Sequence, residues 1–141
     1  MSSLDLISRL SESLVGDITV PGDKSISHRA IILGSIAKGL TTVNGFLDSE
    51  DCLATIRAFK AMGVQIEGPV SHHVVIHGVG KHGLQKPNEA IHCGNSGTLM
   101  RLLAGLLVAQ IFDSKLIGDG SLQKRPMQRV ARPLTQMGAI I

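Results

Sequence analysis

The segment "VPGDKSISHRAIILGSIAKG", residues 20–39, sets Lys24, Ser25, Ser27 and Arg29 between a proline-glycine turn and an apolar run. A helix N-terminus presents unpaired backbone N–H groups and roughly half a positive charge, which together favour an anion. Lys24 and Arg29 add mobile full charges to that fixed partial charge, and Ser25 and Ser27 add hydroxyl donors. The combination suits a phosphate or a carboxylate. "GNSGTLMR" is a second version of the same mouth. Gly94 and Gly97 let a ligand approach the backbone closely, Asn95, Ser96 and Thr98 supply hydrogen bonds, and Arg101 follows about one turn into the helix. "SLQKRPMQR" gives a third, with Lys124 and Arg125 just ahead of Pro126. Such mouths predict a ligand, or ligands, with several anionic groups.

Taken alone, "GDKS" and "GNSGT" read as capped turns. Their recurrence at matching positions of a repeat favours ligand loops, because capping needs no paired cations. The phosphate-loop pattern G-x-x-x-x-G-K-[ST] is absent, which leaves a nucleoside triphosphatase without support. His73 and His77 share a strand face but lie roughly 13 Å apart, too far to share one metal, and read as surface histidines. His28 is the one histidine near the proposed ligand; His92 and Cys93 read as packed at a strand end. Cys52 and Cys93 have no metal spacing and read as reduced thiols.

The elements that position these residues follow from an internal repeat. Two stretches share one order of signals: a short apolar segment, a Gly/Ser turn, a helix, a strand-like segment, a polar turn, a second helix and a Met-Gly stop. The stops at Met62 and Met137 lie 75 residues apart, a period that points to a duplicated βαβαβ-type unit rather than a solenoid. The first helix is expected over 27–38, with Ala30, Leu33 and Ala37 on one face and Gly39 as its stop. Asp48 or Ser49 caps the second, which carries Leu53, Ile56 and Met62. Asn95 or Ser96 caps the third, over 97–109, whose leucines occupy nearly the whole circumference and predict burial on most sides. Pro126 suits the first position of a fourth helix, which Pro133 should kink or restart. "VQIEGPVSHHVVIHGVG" reads as two strands around a turn at Gly68-Pro69. The second unit lacks the corresponding return strand, so a truncated piece of a longer protein is expected.

Composition bounds the function. The 141 residues are 43% hydrophobic and suffice for one globular domain, but only 2% aromatic, which removes base-stacking platforms. The longest uncharged apolar run, 102–112, is too short to span a bilayer, and no leader pattern opens the chain, so it reads as cytoplasmic. The net charge of +3 is concentrated in "QKRPMQRVAR", which suits an anionic ligand or a solvated helix face.

"PGDKSISHRA", "GNSGTLMRLL" and "GDGSLQKRPMQR", in this order and spacing, closely resemble the 5-enolpyruvylshikimate-3-phosphate synthase family. The resemblance implies an α/β (α+β) fold of repeated βαβαββ units, with about two of six present: one over about 16–80 and an incomplete one over about 88–141. It implies transfer of the enolpyruvyl group of phosphoenolpyruvate to the 5-hydroxyl of shikimate 3-phosphate, releasing phosphate, with no metal and no cofactor. Lys24, Ser25 and Arg29 match positions around shikimate 3-phosphate, with Lys24 also reaching phosphoenolpyruvate. Gly97 and Arg125 match phosphoenolpyruvate-binding positions; Asn95, Thr98, Arg101 and Asp51 match neighbouring active-site positions. Lys24 and Arg125 would stabilise phosphate charge as the C–O bond breaks, and Lys24 could handle a proton if burial beside other cations lowers its pKa. The family's inhibitor glyphosate occupies the phosphoenolpyruvate region beside Gly97. The partner implied is the remainder of the enzyme, with no nucleic acid and no membrane, and the isolated chain is expected to be inactive. The competing readings are a non-catalytic anion- or nucleic-acid-binding module on a related βαβαββ scaffold, and a structural fragment stable only when docked.

Overall fold

The computed structural model describes residues 6–10 and 12–141, and its first regular element is set by Asp23. The Asp23 carboxylate accepts the Ile26 N–H at 2.7 Å, so α1 runs Lys24–Ile36, starting a turn earlier than the apolar pattern predicts. Its buried face is also different. Ser27, His28, Ile31, Ile32 and Ser35 point inward while Leu33 is exposed, because three polar residues take core positions that hydrophobic periodicity assigns to apolar ones. Gly39 does not stop this helix; it lies within β1 (Lys38–Asn44).

Ser49 caps α2 (Glu50–Ala61), accepting the Cys52 N–H, and Glu50 and Asp51 complement the helix dipole in its first turn. The chain then forms β2 (Gln65–Val70) and β3 (His73–Val79). The sheet is antiparallel with order β1–β3–β2, its register running from Lys38 opposite Val79 to Asn44 opposite His73. The hairpin turns at Ser71-His72, with φ of 48° and 60°, rather than at Gly68-Pro69, which sits inside β2 at an irregularity in the pairing. Two positive φ values match the twist of the flanking strands, but Ser-His lacks the Asn-Gly signature by which such a turn is read.

Helix α1 packs on α2 and on β3 and β1, and the buried Ile31, Phe46, Phe59, Met62, Val74 and Ile76 fill the space between them. The same core continues into a second group of elements through Ile91, Leu99, Leu103 and Leu122. There β4 (Ile91–His92) pairs in parallel with β5 (Leu116–Ile117), and α3 (Gly97–Leu107) forms the crossover. Ser96 caps α3, accepting the Leu99 N–H at 3.2 Å. Leu99, Leu103 and Leu107 form one buried stripe; Leu102 is 41% exposed, so burial on most sides is not found. The other side of α3 borders an open cleft of about 650 Å³ shared with β5 and α4 (Gln128–Gln136).

Helix α4 begins after Met127, so Pro126 precedes the helix instead of opening it. Pro133 lies inside α4, where its missing N–H leaves the Arg129 carbonyl without its usual partner, and the helix ends within a turn. No residue of α4 is buried. The apolar segment leading into "PGDKS" forms no strand: β1 pairs only with β3, and Ile18 and Val20 lie exposed in irregular chain. Helices and strands together give a mixed α/β architecture.

Candidate functional site

Lys24 is the first residue of α1, placed there by the Asp23 cap. The loop before it passes so close to the end of β1 that a Cβ on Gly22 would strike the Gly45 carbonyl, which is why a glycine precedes the cap. Lys24 Nζ donates to Asp51 Oδ2 at 2.9 Å, joining the first turns of α1 and α2. This carboxylate holds the lysine above its ordinary range, first through the hydrogen bond and then through its charge. Lys24 is half exposed with a carboxylate beside it, so the expected lowering of its pKa does not occur, and it acts as a fixed cation.

Ser27 is committed to structure. Its hydroxyl donates to the Asp23 carbonyl at 2.9 Å and accepts the Leu47 N–H at 3.0 Å. Ser25 and Arg29 are exposed on α1, and their side chains bond to no described residue. One turn into α1, the buried His28 meets Thr55 Oγ1 through Nδ1 at 2.6 Å. Thr55 in turn donates to the Asp51 carbonyl at 3.3 Å, which leaves Nδ1–H as the donor of the pair and His28 Nε2 buried without a partner. Burial pushes the His28 pKa below its ordinary value. The contact holds α1 against α2 one turn behind the Lys24–Asp51 pair.

The second group gathers at the start of α3. Because Ser96 provides the cap, the Asn95 side chain is free to face outward. Its Oδ1 accepts from Arg125 Nη2 at 2.6 Å and its Nδ2 donates to Asp119 Oδ2 at 2.9 Å. Arg101 reaches the Pro126 carbonyl at 3.4 Å. Both guanidinium groups overlie Gly97: a Cβ there would lie 2.7 Å from Arg101 Nη1 and 3.3 Å from Arg125 Nη1. Thr98 is exposed beside Gly97, and its side chain bonds to no described residue. Arg125 therefore belongs to the mouth of α3 and not to a third one at α4, whose N-terminus has no side-chain cap.

The structure thus brings Lys24 and Asp51 together, and separately Asn95, Gly97, Arg101 and Arg125; α2 touches α1 and also α3 and β4. Asp119 escaped the sequence reading, although its position three residues before Leu122 is a capping signal. Its Oδ1 accepts the Leu122 N–H at 2.7 Å, and this bond, followed by that from Asn95, holds the carboxyl below its ordinary range. Three further histidines are tied to surface partners, His73 to Asn44, His77 to Glu67 and His72 to Asp48, and His92 Nδ1 accepts the Gly94 N–H at 3.0 Å. Among the described residues no group of three or more His, Cys, Asp or Glu side chains could hold a metal, and no helix is long and apolar enough to cross a membrane. Cys52 and Cys93 are buried free thiols, and burial pushes Cys93 up to about 11.

A family model described as EPSP synthase (3-phosphoshikimate 1-carboxyvinyltransferase) matches residues 9–141. A 3-phosphoshikimate 1-carboxyvinyltransferase of Legionella pneumophila (strain Corby) is 65% identical over 96% of this chain, and one of Methylococcus capsulatus is 63% identical over 89%. The chain spans 31% and 29% of the length of those two relatives. The solved EPSP synthase from Acinetobacter baumannii superposes with a TM-score of 0.86 at 62% identity, covering 89% of this chain and 28% of that one. With the motifs, the α/β architecture and the matched span in agreement, the chain belongs to the EPSP synthase family.

Proposed function

We propose that these residues form part of an enzyme that transfers the enolpyruvyl group of phosphoenolpyruvate to the 5-hydroxyl of shikimate 3-phosphate, with release of phosphate. The observation that carries this reading is the convergence of Gly97, Asn95, Arg101 and Arg125 at one helix N-terminus, from stretches of chain far apart in sequence. Two guanidinium groups at the positive end of a helix suit an anion that gains charge during reaction. In this reading Arg125 and Lys24 stabilise the phosphate as the C–O bond breaks. Gly97 and Arg101 line the phosphoenolpyruvate region with Asn95 and Thr98. Lys24, Ser25 and Arg29 hold shikimate 3-phosphate, with Asp51 orienting Lys24. The two repeat units, over about 16–80 and 88–141, each contribute one cationic mouth. The enzyme would work in the cytoplasm, and this chain would act only together with the further portion that the longer relatives carry.

The test is a phosphate-release assay with both substrates, run on this chain alone and again with the remaining portion of the Legionella pneumophila relative added as a separate polypeptide. Activity in the mixture is expected, and silence of the chain alone. Silence in both, with the added portion shown to be folded and bound, would refute the transferase reading and favour a binding module.

A further inference from the structure

Asp119 makes no contact of the kind expected of a substrate-binding group, yet both of its carboxylate oxygens are committed. Oδ1 accepts the Leu122 N–H at 2.7 Å, opening the short 3-10 turn Leu122–Lys124 that ends at Arg125. Oδ2 accepts from Asn95 Nδ2 at 2.9 Å. The Asp119 backbone adds a further tie, its N–H donating to the Gly94 carbonyl at 2.9 Å. The loop after β5 is thereby fastened to the loop after β4.

We infer that Asp119 is the positioning residue for Arg125. This inference rests on the reading of Arg125 as an anion-binding group. An asparagine amide has two ends of nearly the same shape, and sterics do not choose between them. An ionised carboxylate only accepts, so Asp119 forces the Asn95 NH2 toward itself and the Asn95 oxygen toward Arg125. The guanidinium then docks on that oxygen at 2.6 Å, leaving Nη1 over the first turn of α3. Asp119 also shapes the turn that delivers Arg125, so one carboxylate sets both the backbone and the side chain of the cation. The neutral amide matters as well. Lys24 is held by a carboxylate in direct contact, whereas Arg125 is held through an amide, which orients the guanidinium without forming an ion pair with it.

The experiment is a double-mutant cycle in a full-length chain made of these 141 residues completed by the remaining portion of the Legionella pneumophila relative. Asp119→Asn keeps an oxygen for the Leu122 N–H but turns an NH2 toward the Asn95 NH2, and two donors cannot pair. The expected result is a rise of about tenfold in KM for phosphoenolpyruvate, with KM for shikimate 3-phosphate and the melting temperature little changed. Asn95→Asp alone sets two carboxylates face to face and is also expected to weaken binding. Combining the two restores the donor–acceptor order, so the double variant should lose less than the product of the single losses. Multiplicative losses, an unchanged KM in Asp119→Asn, or equal rises for both substrates would overturn the assignment. If the parent does not turn over, the transferase reading fails, and the cycle is read instead as dissociation constants for inorganic phosphate by calorimetry. A parent that binds no phosphate overturns the positioning role too.

Discussion

Alanine at position 97 places a methyl group under two guanidinium groups. Its carbon would lie 2.7 Å from Arg101 Nη1, and ordinary contact needs about 3.5 Å, so Arg101 must withdraw by roughly 0.8 Å. The Arg101 bond to the Pro126 carbonyl is already 3.4 Å long and does not survive such a move. Arg125 Nη1, at 3.3 Å, must give by a few tenths of an ångström against its tie to Asn95. In stability the change is close to neutral: one hydrogen bond worth about 1 kcal/mol is lost. Alanine recovers part of this over glycine, less than the ~1 kcal/mol of an interior position because Gly97 is the first residue of α3. In binding it is not neutral, because displacing a positioned cation by about 1 Å costs on the order of tenfold or more. In the completed full-length chain, Gly97→Ala should raise KM for phosphoenolpyruvate about tenfold, weaken inhibition by glyphosate and leave the melting temperature within a few degrees. Steady-state kinetics with thermal unfolding measures all three. Unchanged KM and unchanged inhibition at the parental melting temperature would refute the argument that the glycine is kept small for the arginines above it.

Lys24→Ala, measured by phosphate calorimetry and circular dichroism on the same full-length chain, should weaken phosphate binding while helix content stays constant; parallel losses would make Lys24 a folding residue. His28 has an ordinary pKa of 6.5 that burial lowers in the folded chain, so the unfolded chain binds more protons below that pH and stability should fall on acidification from about pH 7 to 5. His28→Gln should flatten this dependence in thermal melts, and an equal slope in parent and variant would show that another group is responsible. Cys52 and Cys93 are fully buried and their thiols are pushed above the ordinary range, so a thiol reagent at about pH 8 should react only after denaturation.

How far the sequence carries depends on whether a feature is local. The caps of α2 and α3 are legible because a serine beside a helical run bonds within its own turn. The placement of Lys24 at the start of α1 and of Arg101 one turn into α3 is legible for the same reason, since a glycine-rich loop and the helix after it are contiguous in sequence. The face of α1 is not legible. His28 is buried because Thr55, from α2, satisfies its Nδ1, and Ser27 because Leu47 and Asp23 engage its hydroxyl. A periodicity count scores both as exposed, and only the packing of a distant helix makes them core. The turn at Ser71-His72 fails for a related reason: sheet twist imposes its positive φ values where the local residue types give no sign of them. Sequence adjacency to Pro126 assigns Arg125 to the mouth of α4, whereas Asn95 draws it to α3.

If both mouths bind anions, as proposed, they meet one electrostatic problem in different ways. A cation that is to receive an anion has to be held in place but not neutralised beforehand. Lys24 is held by direct contact with Asp51, but the pair is half exposed on the lysine side, and solvent-exposed pairs are weak enough for an incoming phosphate to compete. Arg125 has a second anchor besides the backbone turn, and its acceptor is a neutral oxygen, so its charge is intact before any ligand arrives. The carboxylate that fixes this geometry spends its charge on an amide and a backbone N–H, one residue removed from the cation. An anion binding over Gly97 would therefore have no ion pair to break at Arg125, whereas binding at Lys24 requires a carboxylate to yield. Tight, oriented binding is expected from the α3 mouth and adaptable binding from the α1 mouth.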